Sequence, residues 1–172
     1  AIITGSFPQA QMVEEKTDVF LKQRGIDKKN QGFFYYPIKR LVSLCKANLV
    51  DPERDVLEAL AAYHDIDLGY NPDQIFDLVW DCMDWAKTAD IYDYDDMCWL
   101  PVVLNLPSPK FDLVLIDELQ DTNRSQIEMA LRIVKSSGRI VGVGDRYQSI
   151  YGFRGADVDA IPTTDALPAC LA

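Results

Sequence analysis

The sequence predicts an α/β protein in which a mostly helical part precedes a parallel sheet. Apolar residues recur at helical spacing through the first hundred residues. Further on, two short apolar runs, 111–116 and 140–143, flank an amphipathic segment at 123–135. A strand, a helix and a strand at this spacing form a βαβ unit, whose two strands are parallel. We therefore divide the chain into a helical part, residues 1–106, and an α/β part, residues 107–172.

Four helices are predicted in the helical part. The first covers residues 11–24 and ends at Gly25, because glycine commonly terminates helices. The second begins at Pro37, after a short aromatic run. The other two begin after Asp51 and Asn71. Each of these residues can cap a helix, and each precedes a proline, which suits the first helical position.

The α/β part is predicted from shorter signals. The run 111–116 is bounded by charged residues and is too short for a helix, so it predicts a buried strand. Asn123 and Gln126 have the spacing of a reciprocal cap at the start of the next helix. That helix is expected to end at Ser136–Gly138, and Gly144 closes the second strand.

The composition of the 172 residues, 48% hydrophobic and 26% charged, is typical of a globular protein with a packed core. No run approaches the roughly 20 apolar residues of a membrane span. No signal peptide opens the chain, and we expect a cytoplasmic protein without a membrane segment. The four cysteines and single histidine lack zinc-site spacing, and the thiols are expected to be reduced. Both ends look cut, so we expect a piece of a longer protein.

Charge is distributed unevenly along the chain. The net charge of −10 argues weakly against nucleic-acid binding. However, segment 16–46 has eight Lys or Arg residues and two acidic residues. Segment 51–100 has two Lys or Arg residues and fourteen acidic residues. The first segment therefore forms either a basic face or a solvated surface of mixed charge, and the sequence leaves both open.

Polar side chains follow each predicted strand, at the sheet edge where ligands bind in open parallel sheets. Asp117 and Glu118 come directly after the first strand. One carboxylate can hold Mg²⁺, and the next can deprotonate the water that attacks a terminal phosphate. The alternative is that both acidic residues stabilise the start of the next helix through its dipole.

The segment after the second strand, 144–156, is rich in glycine, aromatic residues and arginine. The Gln148 amide can both donate and accept, so it can sense a phosphate oxygen. Tyr151 and Phe153 can stack on bases, and Arg154 can pair with a phosphate or a carboxylate. The alternative is a glycine-rich loop with buried aromatic rings.

These motifs resemble those of a known family. Segment 117–123, Asp-Glu-Leu-Gln-Asp-Thr-Asn, is similar to motif II, the Walker B box, of UvrD/Rep-like superfamily 1 DNA helicases. Segment 144–156 is similar to their motif III, and 93–97 resembles an aspartate-aromatic element that often precedes motif II. The resemblance covers about residues 93–161, and the helical part matches only in kind. It implies a partial P-loop NTPase (RecA-like) motor domain preceded by a mostly helical subdomain.

The resemblance implies an ATP-dependent DNA helicase, with ATP and Mg²⁺ as cofactors. Such an enzyme couples ATP hydrolysis to translocation on single-stranded DNA and to duplex unwinding. Its partner would be single-stranded DNA or a duplex with a single-stranded tail. In these terms Asp117 would bind Mg²⁺ and Glu118 would be the general base. Gln148 would sense the γ-phosphate and link it to DNA.

The same resemblance implies roles for five further residues. Tyr151, Phe153 and Arg154 would contact single-stranded DNA or brace that contact. Gln120 and Asp121 would help to couple motif II with motif III.

The sequence also departs from the family pattern. It contains no G-x-x-x-x-G-K-[ST] phosphate loop and no second motor domain, so this chain alone is expected to be inactive. Phe153 stands where the family often has tryptophan. RecB and AddA helicase-nucleases and F-box helicases share nearly the same motif III, so the subfamily stays open. A non-hydrolysing DNA-binding or regulatory relative, or an unrelated P-loop ATPase, is the alternative.

Overall fold

The computed structural model describes residues 2–29 and 31–145. The helical part contains α1 (Ile2–Ser6), β1 (Gln11–Met12), α2 (Lys16–Gln23), α3 (Gly32–Asn48), α4 (Arg54–Tyr63), α5 (Pro72–Thr88), β2 (Ile91–Tyr92) and α6 (Asp96–Val103). The α/β part contains β3 (Phe111–Ile116), a 3₁₀ turn (Leu119–Asp121), α7 (Arg124–Ile133) and β4 (Val134–Gly142). The predicted α/β class, helices first and parallel strands after, is confirmed. The boundary between residues 106 and 107 stays a prediction.

Two predicted helices have different starts. The first, residues 11–24, is divided, because Gln11 and Met12 form β1 and pair in parallel with β2. The second begins at Gly32 instead of Pro37, so the aromatic run is helical and the proline lies inside α3. A proline in the second turn removes only one backbone hydrogen bond, and packing of the adjacent apolar residues offsets that loss.

Side-chain caps explain the starts of two further helices. The Asn71 side chain accepts a hydrogen bond from the backbone N–H of Gln74, as predicted for α5. Asn123 and Gln126 form the predicted reciprocal cap of α7. The prediction for α4 was wrong by two residues: Glu53 is the N-cap and Asp51 lies outside the helix.

Strands β3 and β4 are parallel neighbours, with Leu115 opposite Val141 and Ile116 opposite Gly142. Strand β4 starts at Val134, directly after α7, so the predicted loop at 136–138 is part of a longer strand. A register irregularity between Phe111 and Leu113 accommodates this early start. The consequence for the site is that β3 and β4 end side by side.

Helix α3 lies at the centre of the helical part and contacts α2, α4, α5, α6 and α7. Its inner face is apolar, and full burial of one such side chain typically stabilises a fold by about 1.5–3 kcal/mol. The buried apolar side chains of α3 include Ile38, Leu41, Val42, Leu44 and Cys45. The thiols of Cys45 and Cys82 are free and buried. Burial raises the pKa of Cys45 to about 12 and that of Cys82 to about 11.

Four buried charged residues, Lys16, Lys46, Asp93 and Asp96, form what we call the buried charge cluster. The Asp96 carboxylate lies 3.0 Å from Lys16 Nζ and 2.9 Å from Lys46 Nζ. Lys16 Nζ also donates to the carbonyl oxygen of Ala86, and the Asp96 backbone N–H donates to Asp93 Oδ1. The cluster therefore ties α2 and α3 to the start of α6.

None of the helices within residues 2–29 and 31–145 combines the length and apolar character that a membrane span requires.

Candidate active site

The two polar segments identified in the sequence begin next to each other at one edge of the β3–β4 sheet. The backbone N–H of Val143 donates to the carbonyl oxygen of Ile116 at 2.8 Å. The N–H of Leu119 donates to the carbonyl oxygen of Val143 at 2.9 Å. These two bonds continue the strand pairing beyond the last paired residues. They hold the segment after β3 against the segment after β4.

Asp117 and Glu118 are exposed at this edge, directly after β3. The Glu118 backbone N–H donates to Asp117 Oδ1 at 3.0 Å. Glu118 has φ 51° and ψ 47°, the left-handed conformation that non-glycine residues rarely adopt. Such a conformation costs about 1–3 kcal/mol and persists only where the surrounding structure enforces it. Here the enforcing contacts are the turn that follows and the bonds to the end of β4.

Gln120 connects the two segments. Its side chain is buried, with 5% of its surface exposed. Gln120 Nε2 donates to Glu118 Oε2 at 2.6 Å, and Gln120 Oε1 accepts from the backbone N–H of Asp145 at 2.9 Å. One amide therefore holds the Glu118 carboxylate at one end and the backbone after β4 at the other.

Two glycines at the end of β4 make this arrangement possible. A Cβ atom at Gly142 would lie 2.7 Å from Leu119 Cδ2. A Cβ atom at Gly144 would overlap Gln120 Oε1 and lie 3.0 Å from the backbone nitrogen of Leu119. In the sequence, Gly144 is interpreted as the end of a strand and the start of the motif III segment, and Gly142 has no assigned role. Glycine in or after a strand also signals close approach of another segment, and that signal was present.

Further contacts fix the turn between β3 and α7. The Thr122 hydroxyl donates to the carbonyl oxygen of Leu119 at 2.6 Å. The Ser125 hydroxyl donates to Asn123 Oδ1, which also caps α7. Asp121, for which the resemblance implied a coupling role, forms no hydrogen bond with residues 143–145 in the described part of the chain. Its Oδ1 atom there has no hydrogen-bond partner.

The donor set at this edge suits Mg²⁺ only in combination with other ligands. Within the described ranges no group of three or more His, Cys, Asp or Glu residues converges on one point. Mg²⁺ usually keeps several waters and is held by one or two carboxylates together with substrate phosphates. The exposed carboxylate of Asp117 fits that pattern, and Glu118 lies beside it.

Four predicted site residues, Gln148, Tyr151, Phe153 and Arg154, lie outside the described residues. The structure therefore assembles motif II and the first two residues of motif III. The phosphate sensor and the DNA contacts stay predictions.

A parallel βαβ unit with paired carboxylates after its first strand is consistent with a partial RecA-like motor domain. A family model described as "UvrD/REP helicase N-terminal domain" matches residues 9–166. The chain belongs to this helicase family.

Named relatives support the same family. The "Probable DNA helicase II homolog" of Mycoplasma genitalium is 28% identical over 152 residues, which are 84% of this chain and 21% of the relative. The "ATP-dependent DNA helicase PcrA" of Bacillus subtilis is 30% identical over 149 residues, 82% of this chain and 19% of the relative. The "ATP-dependent DNA helicase Rep" of Escherichia coli is 40% identical over 78 residues, 41% of this chain and 12% of the relative. This chain spans about a fifth of the length of the first two relatives.

Proposed function

We propose that this chain forms part of an ATP-dependent DNA helicase, which couples ATP hydrolysis to translocation on single-stranded DNA and to duplex unwinding. The family match and the names of PcrA and Rep support this proposal. The observation that carries it is the Gln120 bridge, which joins the carboxylate of Glu118 to the backbone of Asp145. We infer that a change at the Glu118 carboxylate is passed through this amide to the start of motif III.

Each motif II carboxylate has a separate proposed role. Asp117 holds Mg²⁺, which when bound neutralises charge on the ATP phosphates. Glu118 accepts a proton from the attacking water, since its carboxylate is exposed and held by the Gln120 amide. Its left-handed backbone presents the side chain away from the extended path of β3.

The residues beyond Asp145 complete the proposal. Gln148 senses the γ-phosphate, whereas Tyr151, Phe153 and Arg154 contact single-stranded DNA. Base stacking on exposed rings and pairing of arginine with phosphate are the chemistry that these residue types offer.

The test uses a longer chain that contains this segment together with a phosphate-binding loop, because the matched part of this chain is only about a fifth of each relative. Glu118→Gln is expected to leave ATP binding nearly intact and to lower turnover by roughly 10²- to 10⁴-fold. Asp117→Asn is expected to weaken binding of Mg²⁺-ATP as well. Phosphate release and nucleotide binding are measured with and without single-stranded DNA.

Asp112→Asn is the matched control, since Asp112 is an exposed carboxylate on β3 that pairs with Lys135. It should leave turnover unchanged. Parent-like turnover in both motif II variants would show that these carboxylates are not catalytic. DNA binding without ATP turnover in the unaltered longer chain would favour the non-hydrolysing relative.

A further inference from the structure

The structure shows which basic side chains of segment 16–46 are able to contact a ligand. Lys16 and Lys46 belong to the buried charge cluster, so they cannot contact a ligand. Arg24 and Lys39 pair with carboxylates of the helical part at distances of 2.8–3.3 Å. Half of the basic residues counted in the sequence are therefore already engaged.

The other four basic residues are Lys22, Lys28, Lys29 and Arg40. The three lysines are exposed and Arg40 is half-buried. In the ranges that the structure describes, none of the four forms an ion pair with a carboxylate. Lys28 and Lys29 lie in the loop that leads into α3, and Arg40 lies on that helix.

Helix α3 begins with four consecutive aromatic residues that face two ways. Phe34 and Tyr35 pack against the apolar core. Phe33 and Tyr36 face solvent, with 63% and 53% of their surface exposed. These two rings therefore stay on the surface although their neighbours pack into the core. Exposed apolar side chains that lie close together are typical of interaction sites.

The two exposed rings and two of these cations form what we call the cation–aromatic patch: Lys28, Phe33, Tyr36 and Arg40. Lys28 Nζ lies 5.5 Å from the centre of the Tyr36 ring. Residues three and four apart on a helix lie on the same face, so Phe33, Tyr36 and Arg40 form one stripe along α3. The patch therefore places two rings between two positive charges, and its three helical residues span about two turns of α3.

We propose that the cation–aromatic patch binds single-stranded DNA. Phe33 and Tyr36 stack on bases, and Lys28 and Arg40 contact the adjacent phosphates. This combination of an aromatic platform with a positively charged path is how proteins bind single strands without sequence preference. The inference rests on the proposed function, which supplies DNA as the ligand. It adds a contact surface in the helical part, separate in sequence from residues 151–154.

A single strand fits this patch better than a duplex. Bases in a duplex are stacked on one another, so exposed rings find no free base face, whereas an unpaired base offers both faces. The acidic segment that follows supports this placement, because its exposed carboxylates repel a phosphate backbone. Two acids of that segment, Asp93 and Asp96, are buried and neutralise the buried lysines, so they take no part in this repulsion.

The 172-residue chain itself is the test object, with a fluorescently labelled oligodeoxythymidylate as the probe and anisotropy as the readout. Phe33→Ala and Tyr36→Ala should each weaken binding by about tenfold or more. Lys28→Gln should lower the slope of log affinity against log salt concentration by about 0.7, the value for one phosphate contact on a single strand. Circular dichroism checks that each variant keeps its helices.

Tyr70→Ala and Tyr94→Ala are the matched controls, because both tyrosines are exposed and lie outside the patch. They should bind the probe like the unaltered chain. All variants are also measured in a Phe153→Ala background, which removes one motif III ring. If the patch binds DNA independently of Phe153, the patch variants should still lower the affinity for the probe by about tenfold in that background.

Three results would overturn the inference. They are unchanged affinity in the folded Phe33→Ala, Tyr36→Ala double variant, equal losses in the tyrosine controls, and tighter binding of a blunt duplex than of the single strand. A failure of the proposed function would be seen in a different experiment, as unchanged ATP turnover of the Glu118→Gln variant of the longer chain. There, the patch variants should raise the DNA concentration needed for stimulation.

Discussion

At the scale of single residues, Gln120 joins the segments after β3 and β4 through both ends of its side-chain amide. A glutamate at this position could not donate to Glu118, and an alanine could reach neither Glu118 nor the backbone of Asp145. A buried amide with both ends occupied is therefore a positioning residue for the carboxylate beside it. Gly144 belongs to the same unit, since only glycine leaves room for Gln120 Oε1.

We predict that Gln120→Ala in the longer chain lowers kcat for ATP hydrolysis by about tenfold to a hundredfold, with a smaller change in KM. The reason is that a hydrogen bond to a charged group contributes about 1.5–3 kcal/mol. Gly144→Ala should have a similar effect, because its methyl group displaces the Gln120 side chain. Steady-state kinetics of both single variants and the double variant measure this.

The double variant should lose little more than either single variant, because both changes break the same bridge. Gly5→Ala is the control, since an added methyl group there meets no atom within 4 Å. Additive losses in the double variant would mean that Gly144 and Gln120 act independently, and the bridge would not be the coupling element.

At the scale of secondary-structure elements, the sequence predicts features that depend on neighbouring residues better than features that depend on residues far apart in the chain. The caps of α5 and α7 depend on side chains within three residues of each other, so the sequence shows them directly. Strand β1 has two residues and pairs with β2, about eighty residues away, so no local pattern indicates it. The site divides in the same way. Asp117 and Glu118 follow a recognisable strand, whereas the Gln120–Asp145 contact depends on strand register.

The basic segment shows why charge alone predicts poorly. Lys46 looks like a surface residue in the sequence, but it is buried because Asp93 and Asp96, far along the chain, neutralise it. Burial of a lysine is decided by its partner, and that partner is visible only in the fold.

We predict that Lys46→Met lowers the free energy of unfolding of the 172-residue chain by about 3–5 kcal/mol. The reason is that loss of one partner leaves buried carboxylate charge without full compensation. Arg24→Met is the control, since the Arg24–Asp81 pair is about half exposed, and it should cost at most about 1 kcal/mol. Urea unfolding followed by circular dichroism gives both values, and equal losses would contradict the prediction.

At the scale of the whole molecule, the β3–β4 sheet has an uncovered apolar face among the described residues. Leu113, Leu115, Val141 and Val143 are exposed, although all are strand-type apolar residues. Register places Leu115 beside Val141, so these side chains form a continuous patch. An exposed apolar strand is a common site of self-association.

We predict that the 172-residue chain associates at micromolar concentration and binds the dye ANS, and that Leu115→Lys reduces both. The added charge interrupts the apolar patch without entering the core, because 70% of the Leu115 surface is exposed. Light scattering and dye fluorescence provide the measurements. Tyr70→Lys, which adds the same charge at an exposed site in the helical part, should change neither.

The buried charge cluster also has a consequence for the timing of biosynthesis. Lys46 precedes Asp93 by 47 residues, which take roughly 2–10 s to synthesise at 5–20 residues per second. Until then Lys16 and Lys46 lack their partner carboxylates. Burial of two positive charges side by side is unfavourable without those partners. We therefore expect the helical part to close only when the Asp93–Asp96 segment has been made, just before β3 follows. The nascent chain would thus complete its helical part before the carboxylates of motif II are made.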